Sequence, residues 1–286
     1  MRIGVTGATG FIGRGVARGL AAKHKDLRLI VRDARKAPAG NWGVRSTGGY
    51  FDKIGNVSAL RGVDVLFMVS AAESADRVTH QKAFIEAAEK AGVKHIVYTS
   101  FIGAAPDATF TLARDHWATE EAVRCSGMAH TFLRNSFYMD FFPKAVVDGV
   151  IAGPAGKGRT GAVARADVVD AVVGVLDDPD AHTGKTYELT GPETIDLEQI
   201  AAIITELANR PTSYVNQDLA EAYETRHKYN VPEWQIEAWV STYTAIASGV
   251  MDVVTGDVRT LSGHDPMSFA EFIALDNPST EHMPVY

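Results

Sequence analysis

The chain has 286 residues, 46% of them hydrophobic, and a formal net charge of -7. That length suits one large α/β domain with a smaller cap, and a mildly acidic chain has no long-range attraction for nucleic acid or anionic membrane, so neither is an expected partner. The single cysteine, Cys125, excludes an intrachain disulfide framework and a cysteine-rich zinc site; together with a start that runs straight into a strand, it fits a reducing cytoplasm.

Residues 2–6 read as a short buried strand. A glycine run follows, and residues 11–22 have helical spacing with Ile12, Val16 and Leu20 on one face. Residues 27–32 (LRLIVR) form a second strand and 43–46 a weak third. Residues 64–70 (DVLFMVS) are too apolar for a strand with one wet face. Helical spacing runs over 80–91, ending at Gly92, a natural C-cap. Another buried strand covers 94–100, a helix 113–126, and a strand 130–134. Strands alternating with helices, several apolar throughout, predict a doubly wound parallel sheet, a Rossmann-like α/β fold.

Past Asn135 the pattern changes. Five glycines and a proline between Gly149 and Gly161 predict loops and short strands. Helices are expected over 167–176, 196–208, 219–229 and 232–249, with a strand at 186–189. We therefore expect residues 1–135 to form the dinucleotide-binding domain, its sheet completed by about 160–190. Residues 136–286 would be mostly a helix-rich cap over the substrate cleft. No run of residues is long and apolar enough to cross a bilayer.

The glycine run, Thr6-Gly7-Ala8-Thr9-Gly10-Phe11-Ile12-Gly13, has the spacing G-x-x-G-x-x-G between a strand and a helix. The first glycine permits the tight turn, the second close approach to a pyrophosphate, and the third close packing of helix on strand. The helix start then offers free N–H groups to phosphates. The second strand ends in Arg32, with Arg35 and Lys36 nearby; a guanidinium suits a 2′-phosphate, so we read the site as NADP(H)-type. Asp33, beside Arg32, leaves an acidic, NAD-like option in place.

The spelling TGATGFIG, the strand end Val31-Arg32, and later segments resemble the NmrA-like group of atypical short-chain dehydrogenases/reductases. Those segments are Ala91 to His95, Tyr98 to Ser100, His116 with Thr119-Glu120, Leu133-Arg134-Asn135 with Tyr138, Arg165-Ala166-Asp167 and Tyr187-Glu188-Leu189. Within the group the type-two NADPH:quinone oxidoreductases and the triphenylmethane reductases are the most similar. The resemblance runs to about Phe272 and leaves residues 276–286 unmatched. It implies NADP(H) bound through Gly7, Thr9, Gly10, Phe11, Ile12 and Gly13, with Arg32 on the 2′-phosphate. It also implies that Ser70, Ala71 and Ala72 lie along the cofactor, and that Asn135 to Tyr138, Phe137 included, border the nicotinamide. Relatives often carry an acidic residue where Gly49 stands here; Asp52 remains for the adenine.

Typical short-chain dehydrogenases use a Y-x-x-x-K pair for proton transfer. No such pair follows Tyr98. The helix there carries His116 and Glu120, one turn apart and so on one face. His116 is either a proton donor tuned by Glu120 or a pocket-lining residue, and Tyr138 is a second catalytic candidate. The histidines have no metal-ligand spacing, so no metal site is expected. Without the tyrosine, the expected chemistry is hydride transfer to an electron-poor small-molecule acceptor, a quinone or a triphenylmethane-type dye, which needs orientation more than acid catalysis. The alternative is an NADP(H)-binding redox sensor without chemistry; an epimerase is disfavoured by the absent tyrosine/lysine pair. Phe101, Phe137, Tyr138, Phe141 and Phe142 either stack on a flat acceptor or pack between the domains. Trp234 and Trp239 belong to a cap or a subunit interface, which keeps a homodimer among the expected assemblies.

Overall fold

The computed structural model describes residues 1–275; the unmatched segment 276–286 lies outside the described residues. In chain order the elements are β1 (Arg2–Val5), α1 (Phe11–Ala22), β2 (Asp26–Val31), β3 (Gly43–Ser46), α2 (Lys53–Leu60), β4 (Val65–Met68), α3 (Arg77–Ala91), β5 (His95–Phe101), α4 (Thr111–Cys125) and β6 (Ala129–Asn135). The second half adds α5 (Phe141–Lys144), β7 (Val150–Gly153), β8 (Arg159–Thr160), α6 (Arg165–Asp177), β9 (Thr186–Leu189), β10 (Ile195–Asp196), α7 (Leu197–Leu207), β11 (Ser213–Asn216), α8 (Leu219–His227), α9 (Glu233–Ala247), α10 (Asp257–Ser262) and α11 (Phe269–Ala274).

Seven strands make one sheet in the order β3-β2-β1-β4-β5-β6-β9. Every neighbouring pair is parallel, because the chain crosses back over a face between strands, by way of a helix everywhere except between β2 and β3, where residues 32–42 make the return. Strand order reverses on the two sides of β1, which opens a crevice at the carboxyl ends of β1 and β4. One face is covered by α1 and α6, where Ile12, Val16 and Leu20 meet Val168, Val172 and Val175. Full burial of each large aliphatic side chain stabilises by about 1.5–3 kcal/mol. The other face carries α2, α3 and α4 over Leu66, Tyr98 and Phe132. A third core joins the strand-end residues Phe101 and Phe137 to Ile151, Ile200, Tyr243 and Phe269, and so seats the C-terminal helices on the carboxyl ends of β5 and β6. Two small two-stranded sheets, β8–β10 and β7–β11, brace that cap.

The periodicity placed the long elements to within a few residues. It missed α2, whose Gly55, Asn56, Val57 and Ser58 are poor helix formers; the helix forms because Asp52 caps it through the Gly55 N–H. It also started α3 three residues late, which left Arg77 in a loop.

Candidate functional site

The glycine loop sits at the crevice. Gly7 has φ +63°, a left-handed turn that a side chain would strain, and its carbonyl accepts from the Gly10 N–H at 2.9 Å. A Cβ on Gly13 would lie 2.6 Å from the Thr6 carbonyl and closer still to Gly7, so only glycine lets α1 start this near β1. Gly7, Thr9, Gly10 and Phe11 are exposed, whereas Ile12 and Gly13 are buried. Any contribution from Ile12 to a phosphate is therefore through its backbone. The N-cap of α1 is Gly10, which has no side chain to cap with, and the first turn has no acidic residue. The first N–H groups of α1 thus keep their capacity for an anion.

Thr6 ties the two sides of the crevice together. Its hydroxyl accepts from the Val69 N–H at 2.9 Å and pairs with the Tyr50 hydroxyl at 2.7 Å. Tyr50 in turn donates to the Val69 carbonyl and stacks on Phe84. Just beyond β2, Arg32 is exposed and makes no ion pair among the described residues. Asp33 is committed elsewhere: its carboxylate accepts from Arg35 Nε and Nη2 at 3.0 and 2.9 Å, which holds it below the usual carboxylate range. Asp52 is likewise occupied, accepting from the N–H groups of Gly48 and Gly55. Neither acid is free for a ligand without giving up these bonds.

The segment after β4 is held at nearly every backbone group. The Ser70 N–H donates to Thr99 Oγ1 at 2.8 Å and the Ala71 N–H to Gln81 Oε1 at 3.0 Å. The Ala71 carbonyl accepts from Arg77 Nε at 2.9 Å. Ser70 and Ala71 are half-buried and Ala72 is exposed.

The expected His116–Glu120 pair does not form. Both side chains are buried, but they face different partners. Glu120 accepts from the Ser100 hydroxyl at 2.6 Å, from Arg134 Nε and Nη2 at 2.9 and 2.8 Å, and from Arg124 at 3.0 Å. His116 Nε2 receives Arg77 Nη2 at 3.1 Å, and Nδ1 lies 3.1 Å from the Tyr98 hydroxyl. Arginine only donates, so Nε2 is the unprotonated nitrogen and Nδ1 donates to Tyr98. Burial, with the nearby guanidiniums of Arg77 and Arg134, holds His116 well below its ordinary pKa. This imidazole is neutral, and both its nitrogens are engaged.

Tyr138 is placed differently. Its hydroxyl accepts from Asn135 Nδ2 at 2.9 Å, which leaves its own proton undirected, and burial pushes its pKa up to about 12. Beside it, Asn135 Oδ1 and Ser136 Oγ are buried with no partner among the described residues. Phe101, Phe110 and Phe137 form a triangle with centroids 4.8, 5.0 and 5.3 Å apart. Phe141 extends it at 6.1 Å. Phe142 is fully buried and packs on Phe269, so it belongs to the cap's core. Sequence reasoning missed Arg77, Gln81, Tyr50 and Phe110. The i,i+4 spacing of Arg77 and Gln81 was the available signal. A surface groove between α2 and α3, lined by Lys53, Val57, Ala83 and Glu86, contains none of these residues. No group of three or more metal-ligating side chains occurs among the described residues, and no described helix is long and apolar enough to cross a membrane.

The description "NmrA-like family" matches residues 1–273. An NAD(P)H azoreductase of Xenophilus azovorans is 32% identical over 274 residues, 94% of this chain and 95% of that protein. Two solved structures are similar. The NADPH-dependent quinone oxidoreductase of Escherichia coli, complexed with NADPH, has TM-score 0.87 and 31% identity, over 96% of this chain and 100% of that one. The Citrobacter sp. triphenylmethane reductase complexed with NADP(H) has TM-score 0.83 and 29% identity, also over 96% and 100%.

Proposed function

The chain belongs to the NmrA-like family, and from that premise we propose that it is an NADP(H)-dependent reductase of electron-poor conjugated acceptors such as quinones or triphenylmethane-type dyes. The observation that carries the reading is a glycine-capped, acid-free start of α1 at the sheet's switch point, with an exposed Arg32 beyond the neighbouring strand that has no ion-pair partner among the described residues. In the quinone oxidoreductase and the triphenylmethane reductase that resemble this chain, the cofactor is the same.

When bound, the reduced nicotinamide supplies a hydride. Gly7, Thr9, Gly10 and Phe11, with the backbone N–H groups of Ile12 and Gly13, would hold its phosphates. Arg32 would hold the 2′-phosphate. Ser70, Ala71 and Ala72 would line it along the end of β4, and Asn135 and Phe137 would border the nicotinamide. The aromatic wall of Phe101, Phe110, Phe137 and Phe141 orients a flat acceptor and excludes water. Tyr138 stays protonated at neutral pH and donates a hydrogen bond to the oxygen on which negative charge develops; a quinone needs no more, since its phenolate product takes its proton from water. His116, neutral and doubly bonded, acts as a strut rather than as the acid.

The test is oxidation of NADPH with a panel of quinones and triphenylmethane dyes. Turnover with members of either class is the expected result. Saturable NADPH binding with no turnover on any of them would replace this reading with that of a redox sensor.

A further inference from the structure

We propose that Arg77 and Gln81 are positioning residues that lock the two peptides flanking Ala71, and with them the end of β4, in the orientation that cofactor binding requires. The inference rests on the reductase reading above.

The two residues are one turn apart on α3 and so project from one face. Both are buried; Gln81 is fully so and Arg77 is 4% exposed. They grip the two peptides that flank Ala71. Gln81 Oε1 takes the Ala71 N–H at 3.0 Å, and Arg77 Nε reaches the Ala71 carbonyl at 2.9 Å. With the bonds to Val69 and Ser70 already described, five of the six backbone polar groups of residues 69–71 are satisfied by side chains from Thr6 just after β1, from β5 and α3, and from the segment before α2. The sixth, the Ser70 carbonyl, has no partner among the described residues, and it is the group left to accept from a ligand. A segment fixed this completely has no freedom to adapt, so its orientation is set before any ligand arrives.

The same two side chains reach the opposite wall. Arg77 Nη1 meets Asp115 at 3.3 Å, and Nη2 fixes the tautomer of His116. Gln81 Nε2 donates to Thr119 Oγ1 at 2.9 Å, and the Tyr98 hydroxyl donates to Gln81 Oε1 at 3.3 Å. Glu73, in the same segment, has a buried carboxylate oxygen without a partner among the described residues and feels Arg77 electrostatically. A guanidinium fork and an amide thus join β4, α3, α4 and β5 at one point. A methionine at either position keeps the volume and removes the donors or acceptor.

The experiment compares Arg77→Met, Gln81→Met and Gln81→Glu with the parent protein. Three readouts are used: amide deuterium exchange of residues 69–72 without cofactor, NADPH affinity by fluorescence titration, and kcat and KM with 1,4-benzoquinone. Both methionine variants should speed exchange at Ser70 and Ala71. Each should weaken NADPH roughly ten- to a hundredfold and lower kcat, with the quinone KM unchanged. Gln81→Glu, which keeps the acceptor oxygen for the Ala71 N–H, should restore most of the affinity. Should Arg77→Met fail to fold, Arg77→Lys carries the same expectation: it keeps the charge beside Asp115 but cannot reach Ala71 and His116 together. Folded methionine variants with parental exchange, affinity and kcat overturn the proposal. A parent protein that does not bind NADPH overturns the cofactor reading itself, and the exchange measurement then still reports the clamp separately.

Discussion

Replacing Glu120 by glutamine removes one charge and almost no volume. Four donors converge on the two carboxylate oxygens: the Ser100 hydroxyl and Arg134 Nε on one, Arg134 Nη2 and Arg124 Nη2 on the other. A glutamine amide has one acceptor oxygen, so whichever way it turns, two donors face an NH2 group. Breaking a buried ion pair by removing one partner costs about 3–5 kcal/mol. Here the side chains of Arg134 and Arg124 are 20% and 36% exposed, so water recovers part of that loss. We expect roughly 2–4 kcal/mol of destabilisation. For a chain of this size each kcal/mol moves the melting midpoint by about 2–4 °C, a drop of roughly 5–15 °C. Urea unfolding followed by circular dichroism gives the free energy, and calorimetry the midpoint. A loss under about 1 kcal/mol, the range of an exposed pair, would refute the claim that this carboxylate is a buried hub.

Arg32→Ala should weaken NADPH roughly tenfold or more and NADH hardly at all, measured by titration with both; equal losses would remove Arg32 from the 2′-phosphate. Tyr138→Phe deletes a hydrogen-bond donor and little volume, so kcat for a quinone should fall by roughly ten- to a hundredfold at unchanged NADPH affinity. An unaltered kcat would leave Tyr138 as pocket lining only. Stability should fall on acidification below about pH 6.5. Burial holds His116 and His95 below their ordinary pKa in the folded chain, so the unfolded chain binds protons that the folded chain refuses. This contribution is complete above the unfolded value and is lost as pH drops through and below it. Melting midpoints from pH 7.5 to 5.5 test the slope, and His116→Gln should flatten it; a midpoint that is level or rises over this interval would count against a neutral His116.

Much of this was legible in the sequence, and the misses in the site are mostly polar partnerships. Periodicity reports which residues face a core, so α1, α4, β4 and β5 were readable. The glycine spacing also reports a backbone need that no side chain can meet, hence Gly7 and Gly13. Polar partnerships are not periodic. His116 and Glu120 share a helical face, yet one turned to Arg77 and the other to Arg134, because those guanidiniums arrive from α3 and β6, far away in the chain. Asp33 left an acidic, NAD-like option in place; only the structure shows Arg35 folded back on it. Phe101, Phe137 and Phe141 were named as an aromatic group, but Phe110 was invisible, since it precedes α4 in a stretch without pattern. Short pieces such as β8 and β10 have too few residues for any period to register.

The sheet closes late. β9, at residues 186–189, pairs with β6, and α6, at 165–177, shares a face with α1. As the polypeptide leaves the ribosome, β6 has no outer neighbour, and half of that face stays bare, until some fifty residues beyond Asn135 have followed. In that interval an apolar strand edge stands open to pairing with other chains. Chaperone protection, or slow release of a truncated chain ending near residue 160, would reveal a vulnerability that the finished molecule has already sealed.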